Sequence, residues 1–124
     1  IKDLTALTQA LVVGLCNHYE NGTQLPYLDS WVIHENKWRA TRYGMNADLI
    51  INENGKQDSI KNIIKKTISA LEPEINSLNL GESMDRILNR ISSNDSYYES
   101  QIKLFEQNNS FEDIIKDNIN RLKK

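Results

Sequence analysis

Glu35, Arg39 and Arg42 stand within WVIHENKWRATRYG, the stretch from Trp31 to Gly44 that holds both tryptophans. On a helical wheel of about 100° per residue, Trp31 and Trp38 fall together, and Val32, Ile33, Ala40 and Tyr43 form a second apolar sector. The glutamate and both arginines lie between the two sectors, and Asn36 lies within the second. His34, Lys37 and Thr41 share the clearly polar side. A charge flanked by apolar surface loses water and needs partners. Glu35 and Arg39 are four apart, in the favourable order for an ion pair. One carboxylate does not fully occupy two guanidinium groups, so an arginine is left to find another anion. Two readings are open. The charges form a structural network at a helix contact, or an arginine faces a carboxylate or phosphate, which its planar fork suits better than lysine does.

A helix is needed to carry this stretch. Asp29 and Ser30 can cap its first turn, and Gly44 can end it as a left-handed C′ residue. Upstream, Asp3 to Tyr19 reads as a helix whose Leu4, Leu7, Leu11 and Leu15 face a core, broadened by Val12. Ala10 and Gly14 are small enough to admit a second backbone. The loop from Gly22 to Asp29 includes Leu25-Pro26, where helix is disfavoured. After Gly44, residues 46–51 offer at most a short strand, followed by the turn signal Asn54-Gly55. Gln57 to Leu71 reads as a strong amphipathic helix, which Glu72-Pro73 breaks or restarts. Further helices are expected over Glu82 to Ile91, Ser96 to Gln107 and from Phe111 onward, with Ser92-Ser93-Asn94-Asp95 as a turn. The last opens on a Ser110–Asp113 capping box and closes on Arg121, Lys123 and Lys124, as a helix dipole favours. The fold class is mainly α, a bundle-like single helical unit over 1–124.

Composition bounds the function. With 124 residues, 39% hydrophobic and 26% charged, the chain can build one modest core. A net charge of −2 argues against nucleic acid as a partner. No apolar run approaches the roughly 20 residues of a membrane helix, and no signal peptide is visible; a cytoplasmic location fits. The lone Cys16 sits among apolar residues and reads as a buried thiol. His18 and His34 have no metal-binding spacing, so no metal site is expected, and no catalytic residue is assigned. There is no glycine-rich phosphate loop. The chain starts at Ile1 in a helical pattern, as a processed chain or an excised piece would.

The run from His34 to Ile50 resembles the C-terminal signature of the bacterial carboxylate–amine ligases, the glutamate–cysteine ligase type 2 family. The residues that carry it are Glu35-Asn36-Lys37-Trp38-Arg39-Ala40, then Arg42-Tyr43-Gly44, then Ala47-Asp48-Leu49-Ile50. The later helices are similar in layout, although Tyr97 to Lys103 is acidic and aromatic where the family is often basic. The resemblance implies an enzyme dependent on ATP and Mg²⁺. It activates a glutamate carboxylate as an acyl phosphate and forms a γ-glutamyl amide with an amino-acid amine. It also implies a fold related to glutamine synthetase, with the sheet and metal-binding acids mostly upstream. This chain would then be the C-terminal helical part, inactive alone. Its partners would be the remainder of the ligase fold and amino-acid substrates, with self-association through uncovered apolar surface. By position, Asn36, Arg39 and Arg42 would neutralise substrate or nucleotide charge. The competing expectation is a free-standing helical interaction or regulatory module without catalysis.

Overall fold

Small residues decide how the first helix packs. In the computed structural model, which describes residues 2–23, 27–93 and 97–122, α1 spans Lys2–Glu20. Its buried face is Ala6, Ala10 and Gly14. A side chain on Gly14 would have its first carbon 2.6 Å from Leu71 Cδ2, so the approach is possible only because glycine has none. The leucine stripe expected to face the core does not, apart from Leu7, which packs at its edge. Leu4, Leu11, Val12 and Leu15 are exposed. The close approach along the small-residue side turns the larger ones outward. Cys16, expected to be buried, is exposed for the same reason.

The remaining elements of the first unit, Ile1–Ser92, follow in order. Helix α2 is Ser30–Tyr43, followed by a 3-10 turn at Gly44–Asn46. Strands β1, Asp48–Ile50, and β2, Gln57–Ser59, form an antiparallel hairpin. Helices α3, Ile60–Ala70, α4, Glu72–Ser77, and α5, Gly81–Ser92, complete it. The core gathers Ala6 and Ala10 of α1, Ile68 of α3, Leu71, Ile75 of α4 and Met84 of α5. Asn17 Nδ2 donates to Glu74 Oε1 at 2.8 Å, and Arg86 Nε donates to Asp3 Oδ1 at 2.9 Å, so polar pairs at the rim tie α1 to α4 and to α5.

The sequence read Gln57 as helical, but the helix starts three residues later. Ser59 Oγ accepts from Asn62 N–H and caps α3, while Gln57 and Asp58 pair with β1 in the register Ile50↔Gln57 and Leu49↔Asp58. The turn signal is realised: Gly55 has φ +75°, and its N–H donates to Asn52 C=O at 3.1 Å. Pro73 stands in the first turn of α4, where its missing N–H costs nothing, so the helix restarts there.

The second unit, Ser93–Lys124, holds α6, Tyr97–Asn108, and α7, Phe111–Leu122. They form a helical hairpin. Phe105 and Phe111 meet at 4.6 Å between ring centres, and Gln101 Nε2 donates to Asn118 Oδ1 at 3.1 Å. Asp113 N–H donates to Ser110 Oγ at 3.4 Å, as the capping signal indicated. The expectations at Leu25-Pro26, Asn94-Asp95, Ser96, Lys123 and Lys124 lie outside the described residues.

The mainly helical fold class read from the sequence, with at most a short strand over 46–51, is observed; among the described residues that strand has β2 as its partner.

Candidate functional site

Helix α2 begins after Asp29, whose C=O accepts from Val32 N–H at 3.0 Å; the Asp29 side chain makes no capping bond. The helix ends at Gly44, whose φ of +54° turns the chain into the 3-10 turn and then β1. Val32 is its fully buried anchor. Trp31 and Trp38 share a side, as the wheel requires, but that side is half-exposed at 53% and 52%.

The hairpin is docked to α2 by polar side chains. In an antiparallel pair, alternate residues turn their N–H and C=O groups away from the partner strand. Ile60 N–H donates to Ala47 C=O, and Ile51 N–H donates to Lys56 C=O. Asp48 and Ile50 therefore aim their backbone groups outward, at an edge where another strand would normally sit. Asn36 takes that place. Its Nδ2 donates to Ile50 C=O at 2.8 Å, and its Oδ1 accepts from Ile50 N–H at 2.7 Å. Arg39 Nη1 donates to Asp48 C=O at 3.2 Å on the same edge.

Arg39 is largely committed. Besides Asp48, it donates through Nε to Glu35 Oε1 at 2.8 Å and through Nη1 to Gln57 Oε1 at 2.9 Å. The ion pair expected from the i, i+4 spacing is present, and it belongs to the contact between helix and hairpin. Gln57 was missed as a partner. Only the strand register carries it across from Ile50, and the sequence read it as the first residue of a helix.

Arg42 is differently placed. Its guanidinium lies 5.6 Å from the centre of the Trp38 ring and 5.8 Å from that of Tyr43, and the two rings meet edge to face at 5.9 Å. A cation over aromatic faces is held by the ring quadrupoles without using its hydrogen-bond donors. Among the described residues no carboxylate lies within ion-pair distance of Arg42. The three candidate residues thus divide: Asn36 and Arg39 meet at the hairpin edge, and Arg42 stands apart on an exposed aromatic platform.

The chain is 31% identical over 121 residues to "Putative glutamate--cysteine ligase 2-2" of Paenarthrobacter aurescens, covering 98% of this chain and 32% of that protein. It is 32% identical over 126 residues to "Putative glutamate--cysteine ligase 2" of Corynebacterium glutamicum, covering 99% and 33%. The protein of the same name from Thermobifida fusca is 33% identical over 110 residues, covering 89% and 27%. The chain belongs to the glutamate–cysteine ligase type 2 family. It spans about a third of the length of these relatives. No protein-family model matches the chain, and no solved structure matches it significantly.

Mg²⁺ is bound by converging carboxylate and carbonyl oxygens. Among the described residues of this ligase-family chain, no three His, Cys, Asp or Glu side chains converge to hold a metal ion. Asp58, in the hairpin's second strand, accepts from Lys66 Nζ at 2.5 Å and Asn62 Nδ2 at 3.1 Å; the Lys66 hydrogen bond foremost holds its carboxyl below the ordinary value. Among the described residues, no helix is long and apolar enough to cross a membrane.

Proposed function

We propose that this chain is the C-terminal part of an ATP-dependent carboxylate–amine ligase that forms a γ-glutamyl amide in the cytoplasm. One observation carries the reading. Nearly the whole chain aligns, at 31–32% identity, with about a third of proteins named as glutamate–cysteine ligases. In this reaction a glutamate γ-carboxylate oxygen attacks the terminal phosphorus of ATP and ADP leaves. The amine of an amino acid then attacks the acyl phosphate carbon, phosphate leaves, and the amine loses a proton. Mg²⁺ would lower the charge on the transferred phosphoryl group, from ligands in the remainder of the ligase fold.

This chain's part is to present charge. Asn36 and Arg39 are positioning residues: they lock the hairpin to α2 and so hold the helix that bears Arg42. Arg42 offers a guanidinium with free donors, restrained by two rings, to a substrate carboxylate or a phosphate. Its support is the cation–π geometry and the lack of a carboxylate partner among the described residues. The chain alone is expected to turn nothing over.

The test is a ligase assay on the full-length protein with a panel of amino acids, following phosphate release. Arg42→Ala should lower kcat/KM by about 30-fold or more, the loss expected when a charge-assisted contact to substrate is removed. Its melting temperature should stay unchanged. Arg39→Ala should lower both, because it also unties the hairpin. Amino-acid-dependent phosphate release that is absent from the full-length protein would favour the interaction-module reading. Full activity in Arg42→Ala would remove Arg42 from the site.

A further inference from the structure

Helix α1 is apolar on two sides. Ala6, Ala10 and Gly14 face the core of the first unit, while Leu4, Leu11, Val12, Leu15 and Tyr19 form a second, exposed stripe, Leu4 at 69% and Leu15 at 51%. On a helical wheel the centres of the two sides lie about 150° apart, so the stripe points away from the core that α1 helps to build. From Leu4 to Asn17 no residue carries a charge. The exposed sides of α3 and α5 are different: they carry Lys65 and Lys66, and Glu82, Asp85, Arg86 and Arg90. A helix face that stays in water is charged and polar in that way, whereas depletion of charge marks the core of an interface. Thr8 stands inside the stripe. Its Oγ1 donates to Leu4 C=O at 2.9 Å, so covering the stripe would strand no hydroxyl donor.

We propose that this stripe docks on the remainder of the ligase fold, which forms a second layer over α1 and makes it a helix buried on both sides. The inference rests on the reading of the chain as part of a longer ligase. Size selects that occupant over a second copy. At the observed exposures the five side chains offer on the order of 500 Å², short of the about 800 Å² per partner of a standard interface between free molecules. A layer tethered in the same polypeptide does not lose the translational freedom that free partners lose, so the smaller area suffices. The chain spans about a third of its relatives' length, which leaves two thirds of such a fold to provide the layer. The missing charge selects a permanent contact too, since exchangeable partners meet through surfaces about as polar as the rest of the protein.

Hydroxyl-radical footprinting, read by peptide mass spectrometry, tests this on the unmodified full-length protein and on the 124-residue chain. Oxidation of Leu4, Leu11, Leu15 and Tyr19 should be severalfold lower in the full-length protein. Leu15→Ala should leave the melting temperature of the 124-residue chain unchanged and lower that of the full-length protein by several degrees, because only there does it open a cavity. Equal oxidation of the stripe in the two proteins would overturn the proposal. So would protection that grows with the concentration of the 124-residue chain alone, which would make a second copy the occupant. The ligase assay keeps the two readings apart. Protection in a full-length protein that releases no amino-acid-dependent phosphate would leave the docking standing and remove the ligase reading; phosphate release without protection would do the reverse.

Discussion

Helices α1 and α2 both carry exposed aromatic or aliphatic side chains, yet they are docked by opposite chemistries. Helix α1 packs on α4 and α5 through Ala6, Ala10 and Gly14, with no directional bond at the centre of the contact. Its stability comes from apolar area and shape. Helix α2 holds its hairpin through Asn36 and Arg39, whose bonds go mostly to backbone groups of β1. Apolar packing says how close two elements come. A paired amide also says which residue must sit opposite which, because a slip of one position would face Asn36 with the groups that β2 already uses. The two-stranded hairpin, marginal on its own, gains a covered edge and a fixed register from the same side chain. The region in which a guanidinium must be aimed is thus the region held by directional bonds.

The largest effect should come from the apolar contact. Leu71→Ala should destabilise the first unit by about 2–5 kcal/mol, the cost of a core truncation, read from urea denaturation. Gly14→Ala pushes against the same Leu71 methyl, so the two changes should not add. In the Leu71→Ala background the added methyl finds room, and a coupling of roughly 0.5–3 kcal/mol is expected for such touching sites. Simple additivity would mean that α1 is not held by this close approach.

At the polar contact, Asn36→Ala should cost about 1–3 kcal/mol, because it strands both a donor and an acceptor of Ile50. Asn36→Asp should cost more at neutral pH, since a carboxylate oxygen would then face the Ile50 carbonyl. Hydrogen exchange separates this from a general loss of stability. The Ile50 amide should exchange faster in Asn36→Ala by a larger factor than the amides of α1 and α5. Equal acceleration everywhere would erase the distinction between the two contacts. Arg42→Ala, on the exposed platform, should stay within about 0.5 kcal/mol of the parent protein.

The i, i+4 order of Glu35 and Arg39, the capping serine Ser110 and the turn at Asn54-Gly55 were legible because each depends on neighbours in the chain. What was not legible depended on distant residues. Nothing in α1's own periodicity shows that Ala6, Ala10 and Gly14 would win the core over Leu4, Leu11, Leu15 and Val12; Leu71, some sixty positions away, decides that. Likewise Gln57 has no strand signal of its own, and Ser59 could have been read as its boundary only by favouring a capping serine over the apolar period that runs on from Ile60. The candidate site was half legible. The wheel put Arg39 and Arg42 in the same sector, but the hairpin that absorbs Arg39 and leaves Arg42 without an ion pair among the described residues is a tertiary event.

The smallest effect sharpens the comparison from the other side, since α1 also has polar bonds, at its rim. Arg86 donates to Asp3 and pairs with Glu82 at 2.6 Å, and the Arg86 hydrogen bond foremost holds the Asp3 carboxyl below its ordinary value of 3.8. A carboxyl whose pKa is depressed by folding stabilises the folded state above its unfolded value and loses that contribution as pH falls through the folded one. The parent protein should therefore be more stable than Arg86→Gln near neutral pH, and the gap should close as the solution is acidified below about pH 3.8. Arg86 is exposed and Asp3 partly so, and salt near 1 M should narrow the gap as well. The loss caused by Asn36→Ala should persist in salt, because an amide paired with a backbone edge carries no net charge to screen. If salt moved both differences equally, the α2 contact would be electrostatic in the same sense as the rim pair, and its proposed role in setting hairpin register would fail.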